Sequence, residues 1–136
     1  MSIPKNPYFT PIKNRNEEHE TQVAFFNFIK MFEDSHKELK YIFAVPNGGK
    51  RTEFVAKKMK AEGTKRGVPD ICVPIPKNNY CGLWIEFKSS TGRQSEEQKD
   101  FQKFLEINGY AYKICRTSAE GIEELQKYLG ITLALF

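Results

Sequence analysis

The chain has 136 residues, 40% hydrophobic and 28% charged, with eleven Phe; that is enough for one hydrophobic core and too little for two. No run approaches the ~20 apolar residues of a membrane span, and no basic-then-apolar N-terminus marks a secretory signal, which excludes a membrane partner and leads us to expect a cytoplasmic protein. The net charge is only +4, yet residues 50–66 hold seven basic against two acidic side chains. Such a stripe on a near-neutral body either faces a polyanion or is a solvated helix face.

In chain order, residues 1–16 contain Pro4, Pro7 and Pro11 and read as an arm, so residues 17–136 form the single domain. From Glu17 to about Lys37 a helix is predicted, with Val23, Phe25, Phe26, Phe28, Ile29 and Phe32 on a broad apolar face. Tyr41 to Val45 reads as a short buried strand, stopped by Pro46-Asn47-Gly48-Gly49. A basic helix follows over about 52–61, closed by Glu62-Gly63. Asp70 to Ile75 and Cys81 to Lys88 read as strands joined by a turn around residues 76–79. Ser89 to Arg93 is a loop, and Ser95 opens a helix that Gly109 closes. Tyr110 to Cys115 is a strand, and Thr117-Ser118-Ala119-Glu120 opens the last helix in capping-box form. The succession of helices and strands is that of one α/β domain. The three cysteines, Cys72, Cys81 and Cys115, have no zinc-like spacing and read as small buried hydrophobes of strands in a reducing compartment.

Side chains alternate across a strand, so Leu83, Ile85 and Phe87 share one face while Glu86 and Lys88 share the other. Charges on an otherwise apolar central strand are costly unless paired or bound; a mutual ion pair is the plain alternative. Asp70 begins the preceding strand, and an antiparallel hairpin would set it beside Glu86. Two carboxylates that close repel unless a cation lies between them. Oxygen ligands suit Mg²⁺ or Mn²⁺, and such an ion with a nearby lysine supplies what phosphodiester hydrolysis needs. No small-molecule cofactor is expected.

Pro69-Asp70 followed by Glu86-Phe87-Lys88 resembles the PD-(D/E)xK nuclease signature. Its wider context, Gly67-Val68-Pro69-Asp70-Ile71, Trp84-Ile85-Glu86-Phe87-Lys88-Ser89, Gln98 and Gly109-Tyr110, resembles the VRR-NUC branch of that superfamily. Glu20, Gln22 and Pro46-Asn47-Gly48-Gly49 are also similar to that family. The resemblance implies a restriction-endonuclease-like αβββαβ core whose mixed four-stranded sheet is flanked by helices. It implies a metal held by Asp70, Glu86 and the backbone carbonyl of Phe87, with Glu20 reaching it from the first helix. Lys88 would activate the water, and Gln98 would complete the site.

Local explanations compete for the accessory residues. Glu20 suits an N-terminal helical turn through the dipole, Gln98 fits a capping box with Ser95, and Asn47-Gly48-Gly49 fits a turn. Asn47, Gly48, Gly49, Lys50 and Arg51 also present amides and charge to a phosphate. With Lys58, Lys65, Arg66, Ser90 and Arg93 they make the candidate DNA-binding set. The resemblance further implies a phage or bacterial homodimer that resolves branched DNA such as four-way junctions, for which two-fold symmetry is apt. The alternatives are a catalytically silent DNA-binding module, and a nickase acting on duplex or flap DNA. The apolar tail, residues 131–136, either covers a dimer interface or packs on its own domain.

Overall fold

The computed structural model describes residues 14–46 and 51–134. Helix α1 spans Asn14–Lys30, so the arm read for residues 1–16 gives way to helix at Asn14; the rest of it lies outside the described residues. The last third of the expected helix, after Lys30, is replaced by a turn and a short 3₁₀ helix, Lys37–Tyr41. The backbone tightens there: Met31, Phe32 and Glu33 N–H groups bond to carbonyls three residues back, and Ser35 Oγ donates to the Phe32 carbonyl. Such local side-chain bonds compete with the helical ladder.

Strand β1 is only Phe43–Ala44 and both residues are exposed, which corrects the expectation of a buried strand. It is the sheet's edge, paired on one side only. Helix α2, Glu53–Ala61, starts where the Thr52 hydroxyl accepts the Val55 N–H at 3.2 Å, and it buries none of its residues. Strands β2 (Ile71–Val73) and β3 (Leu83–Phe87) pair antiparallel, with Ile71 opposite Ile85. Their connection turns through Asn78 and Asn79, both at positive φ, a conformation that Asn tolerates better than most residues. Helix α3, Glu96–Ile107, then carries the chain to β4, Ala111–Cys115, which pairs parallel with β3. Parallel neighbours require such a crossover. Helix α4, Ser118–Leu129, is capped by the Thr117 hydroxyl. The four-stranded sheet is mixed, as the resemblance implied, and its order is β1-β2-β3-β4.

Helices α1 and α4 cover the face bearing Leu83, Ile85 and Phe87. The Phe25 and Phe87 rings meet edge to face, 5.6 Å apart. Gly121 lets α4 approach this closely, since a Cβ there would stand 2.9 Å from Phe87 Cζ. Helix α3 packs against β4. Cys72 and Cys115 are buried strand residues as expected, with burial pushing the Cys115 thiol up to about 12. Cys81 is not: it is exposed, just before β3, with its N–H on the Gly109 carbonyl. Ile131 and Leu133 pack on this core, and Leu133 N–H donates to Gln126 Oε1 at 2.7 Å. The described part of the tail thus packs on its own domain. No described helix is long and apolar enough to cross a membrane.

Candidate active site

The β2–β3 register that sets Ile71 opposite Ile85 brings Asp70 opposite Glu86 one step further along, at the sheet's end. The Phe87 N–H donates to Asp70 Oδ2 at 2.7 Å, while the Asp70 carbonyl accepts the Val45 N–H. Asp70 is therefore fixed by both strands beside it. Glu86 has no solvent exposure, and Lys88 retains 9%.

One oxygen of Glu86 is well held. Tyr112 of β4 donates its hydroxyl to Oε2 at 2.8 Å. Gln94, in the loop before α3, brings Nε2 within 3.4 Å of that oxygen and also donates to Gln102 Oε1 and the Tyr112 hydroxyl. The other oxygen, Oε1, is buried with no hydrogen-bond partner among the described residues. Lys88 forms no ion pair with a described carboxylate, so the mutual Glu86–Lys88 pair is not what holds these charges here.

Electrostatics matches this geometry. Burial, reinforced by the charges of Glu86 and Glu18, pushes Asp70 up to about 6 despite the Phe87 N–H and Lys88. Burial also raises Glu86, against the pull of Tyr112, Lys88 and Gln94, with Glu18 adding to the rise. Tyr112 is raised by its own burial and by the adjacent Glu86 charge. Two acids disfavoured in their charged form, one with an unsatisfied buried oxygen, fit a divalent cation bound between them. Among the described residues no three His, Cys, Asp or Glu side chains converge as a metal cluster. A two-carboxylate site completed by a backbone carbonyl and water fits that observation.

The first helix contributes carboxylates other than the expected one. Glu18 Oε1 accepts the Ser89 N–H at 3.2 Å and Glu17 Oε1 accepts the Ser90 N–H at 2.9 Å, whereas Glu20 is exposed on α1. Gln98 forms a full capping box: its N–H donates to Ser95 Oγ, and its Oε1 accepts the Ser95 N–H at 2.8 Å. The glutamine that reaches Glu86 is Gln94. The reading of the sequence missed Glu18, Gln94, Gln102 and Tyr112.

The basic segment forms a groove of about 660 Å³ lined by Arg51, Lys57, Lys60, Lys65 and Arg66 with Glu53. Lys58 is exposed outside this lining. Arg66 stands four residues before Asp70, and Gly67 holds this link against α3. At its positive φ of 88°, a Cβ would lie 2.6 Å from the Glu97 carbonyl. Ser90 and Arg93 are exposed beyond β3. Asn47, Gly48, Gly49 and Lys50 lie outside the described residues.

Paired acids and a lysine at the end of a hairpin inside a mixed sheet are the active-centre layout of the PD-(D/E)xK nucleases. The chain belongs to the VRR-NUC domain family, whose pattern it matches over residues 8–119. A solved structure described as a VRR_NUC domain protein superposes with a TM-score of 0.69 at 25% identity, covering 88% of this chain and 97% of that one. None of the curated proteins matches the sequence significantly. The family is one of nucleases, so DNA-directed hydrolysis is the general activity.

Proposed function

We propose that this protein is a divalent-metal-dependent DNA endonuclease acting in the cytoplasm on branched DNA such as four-way junctions. The observation that carries this reading is the buried Glu86, with Oε1 unpartnered among the described residues, opposite a raised Asp70. Asp70, Glu86 and the Phe87 carbonyl are the ligands proposed for Mg²⁺ or Mn²⁺, with Glu18 rather than Glu20 the α1 carboxylate beside them. When bound, such an ion polarises the phosphate and lowers the pKa of a coordinated water.

The residues divide the remaining work. Tyr112 and Gln94 orient Glu86 through Oε2 and leave Oε1 for the ion. Lys88, buried and in no direct ion pair among the described residues, offers its ammonium to the attacking water and the charge that grows on the phosphate. Arg51, Lys65 and Arg66 in the groove, together with the exposed Lys58, Ser90 and Arg93, hold the backbone without reading bases. A homodimer would present two such centres to a two-fold junction.

The test incubates labelled junction, flap, fork and plain duplex DNA with Mg²⁺ or Mn²⁺ at equal salt, using wild type, Asp70→Ala, Glu86→Ala and Lys88→Ala. Cleavage by wild type alone, strongest on junctions, is expected. Equal cleavage of plain duplex would replace the junction with a nickase reading. Uncut DNA from wild type would leave a silent binding module. A monomer mass by light scattering would remove the dimer.

A further inference from the structure

We propose that Arg116 is a positioning residue for the metal centre, acting through the turn that follows Lys88. The inference rests on the metal-dependent reading above. Arg116 directly follows β4, and its own N–H is fixed by Glu120 Oε2 at 2.6 Å. From there Nη1 reaches back across the sheet's end to the carbonyls of Ser89, at 2.6 Å, and Gly92, at 2.8 Å. Those carbonyls bracket a tight turn that the Gly92 N–H closes onto the Ser89 carbonyl at 3.2 Å. One guanidinium nitrogen thus binds the first and last residues of the turn at once.

The same turn holds the α1 carboxylates. Ser89 N–H fixes Glu18, whose charge acts on both Asp70 and Glu86, and Ser90 N–H fixes Glu17. Ser89 is wholly buried and immediately follows Lys88. The turn has no slack, because a Cβ on Gly92 would come within 2.8 Å of Ser89 Oγ. If the guanidinium is lost, two carbonyls lose charge-assisted bonds. The turn relaxes, and with it go the amides that orient Glu18 and the backbone that aims Lys88. Partners bonded directly to a metal ligand typically alter metal affinity by about 10–100-fold when removed, and Arg116, one link further out, is expected at the low end. Lysine is a partial replacement, since its ammonium can also donate to both carbonyls but sits on a flexible stem that no rigid plane orients.

The test uses the full chain without DNA and Mn²⁺ as the probe. Calorimetric titration of Arg116→Ala is expected to show Mn²⁺ binding weakened about tenfold, Arg116→Lys recovering part of the loss, and millimolar guanidinium chloride rescuing Arg116→Ala. Junction affinity measured in Ca²⁺ is expected to stay at the wild-type value, because Arg116 lies outside the basic groove. If Arg116→Ala does not fold, Gly92→Ala strains the same turn with the arginine intact and is expected to weaken Mn²⁺ binding in the same direction. Unchanged Mn²⁺ affinity in a folded variant overturns the proposal. So does a loss confined to DNA affinity, which would make Arg116 a phosphate contact. Wild type that binds Mn²⁺ without cutting DNA removes the nuclease reading, yet an affinity shift in the variants still supports the clamp.

Discussion

Asp70→Asn should make the metal-free protein more stable at neutral pH while removing its metal site. Asp70 has its folded-state pKa raised from 3.8 to about 6. One unit corresponds to 1.36 kcal/mol, so ionising Asp70 in the folded chain costs up to ~3 kcal/mol relative to the unfolded one. The sign follows from the raised value: the contribution to stability is fully present below pH ~4 and lost as pH rises through ~6. Asn removes the charge and keeps an oxygen for the Phe87 N–H. Allowing for partial exposure, we expect Asp70→Asn to gain ~1–3 kcal/mol at pH 7.5. The gap should close toward pH 4. Urea unfolding in EDTA at pH 4, 5.5 and 7.5 reads this directly. Mn²⁺ should then invert the order, since ligand binding stabilises only the chain that holds it. A variant no more stable than wild type at pH 7.5, or a gap independent of pH, refutes the argument.

Tyr112→Phe leaves the buried Glu86 with only the longer Gln94 contact; a loss of ~1–3 kcal/mol in urea unfolding and a pH–rate profile moved to higher pH are expected. Gly121→Ala puts a methyl against Phe87 and Phe25 and should cost ~1–3 kcal/mol by overpacking, visible as a lower thermal midpoint. The double variant Lys65→Ala and Arg66→Ala removes two cations from the groove. If both touch phosphates, the slope of log affinity against log salt, measured in Ca²⁺, should flatten by ~2.

The parts of the site legible in the sequence were those fixed by local geometry. Strand alternation placed Glu86 and Lys88 on one face, and the short 70–88 connection brought Asp70 opposite Glu86, because a hairpin's register is set by nearby residues. Tyr112 and Arg116 were hidden by distance along the chain: they meet the hairpin only after a parallel crossover, whose register no local signal reveals. Gln94 is only eight residues from Glu86, but it stands in a loop whose course no periodic pattern fixes. Glu18 was within reach. It lies four, seven and eleven residues before Gln22, Phe25 and Ile29, on the helical stripe whose Phe25 meets Phe87, while Glu20 points about 200° away from it. Among the elements, β1 looked buried because its apolar residues do not reveal that it is an edge.

The parallel pairing of β3 with β4 also orders the chain's assembly in time. The β2–β3 hairpin joins residues close in sequence and can form early, but β4 must wait for the α3 crossover, since distant contacts carry the larger loop-closure penalty. Until β4 docks, Glu86 lacks Tyr112 and the turn after Lys88 lacks Arg116. A growing or partly unfolded chain therefore carries both acids without the groups that orient them. On the proposed reading, the metal centre is therefore complete only in the fully folded domain.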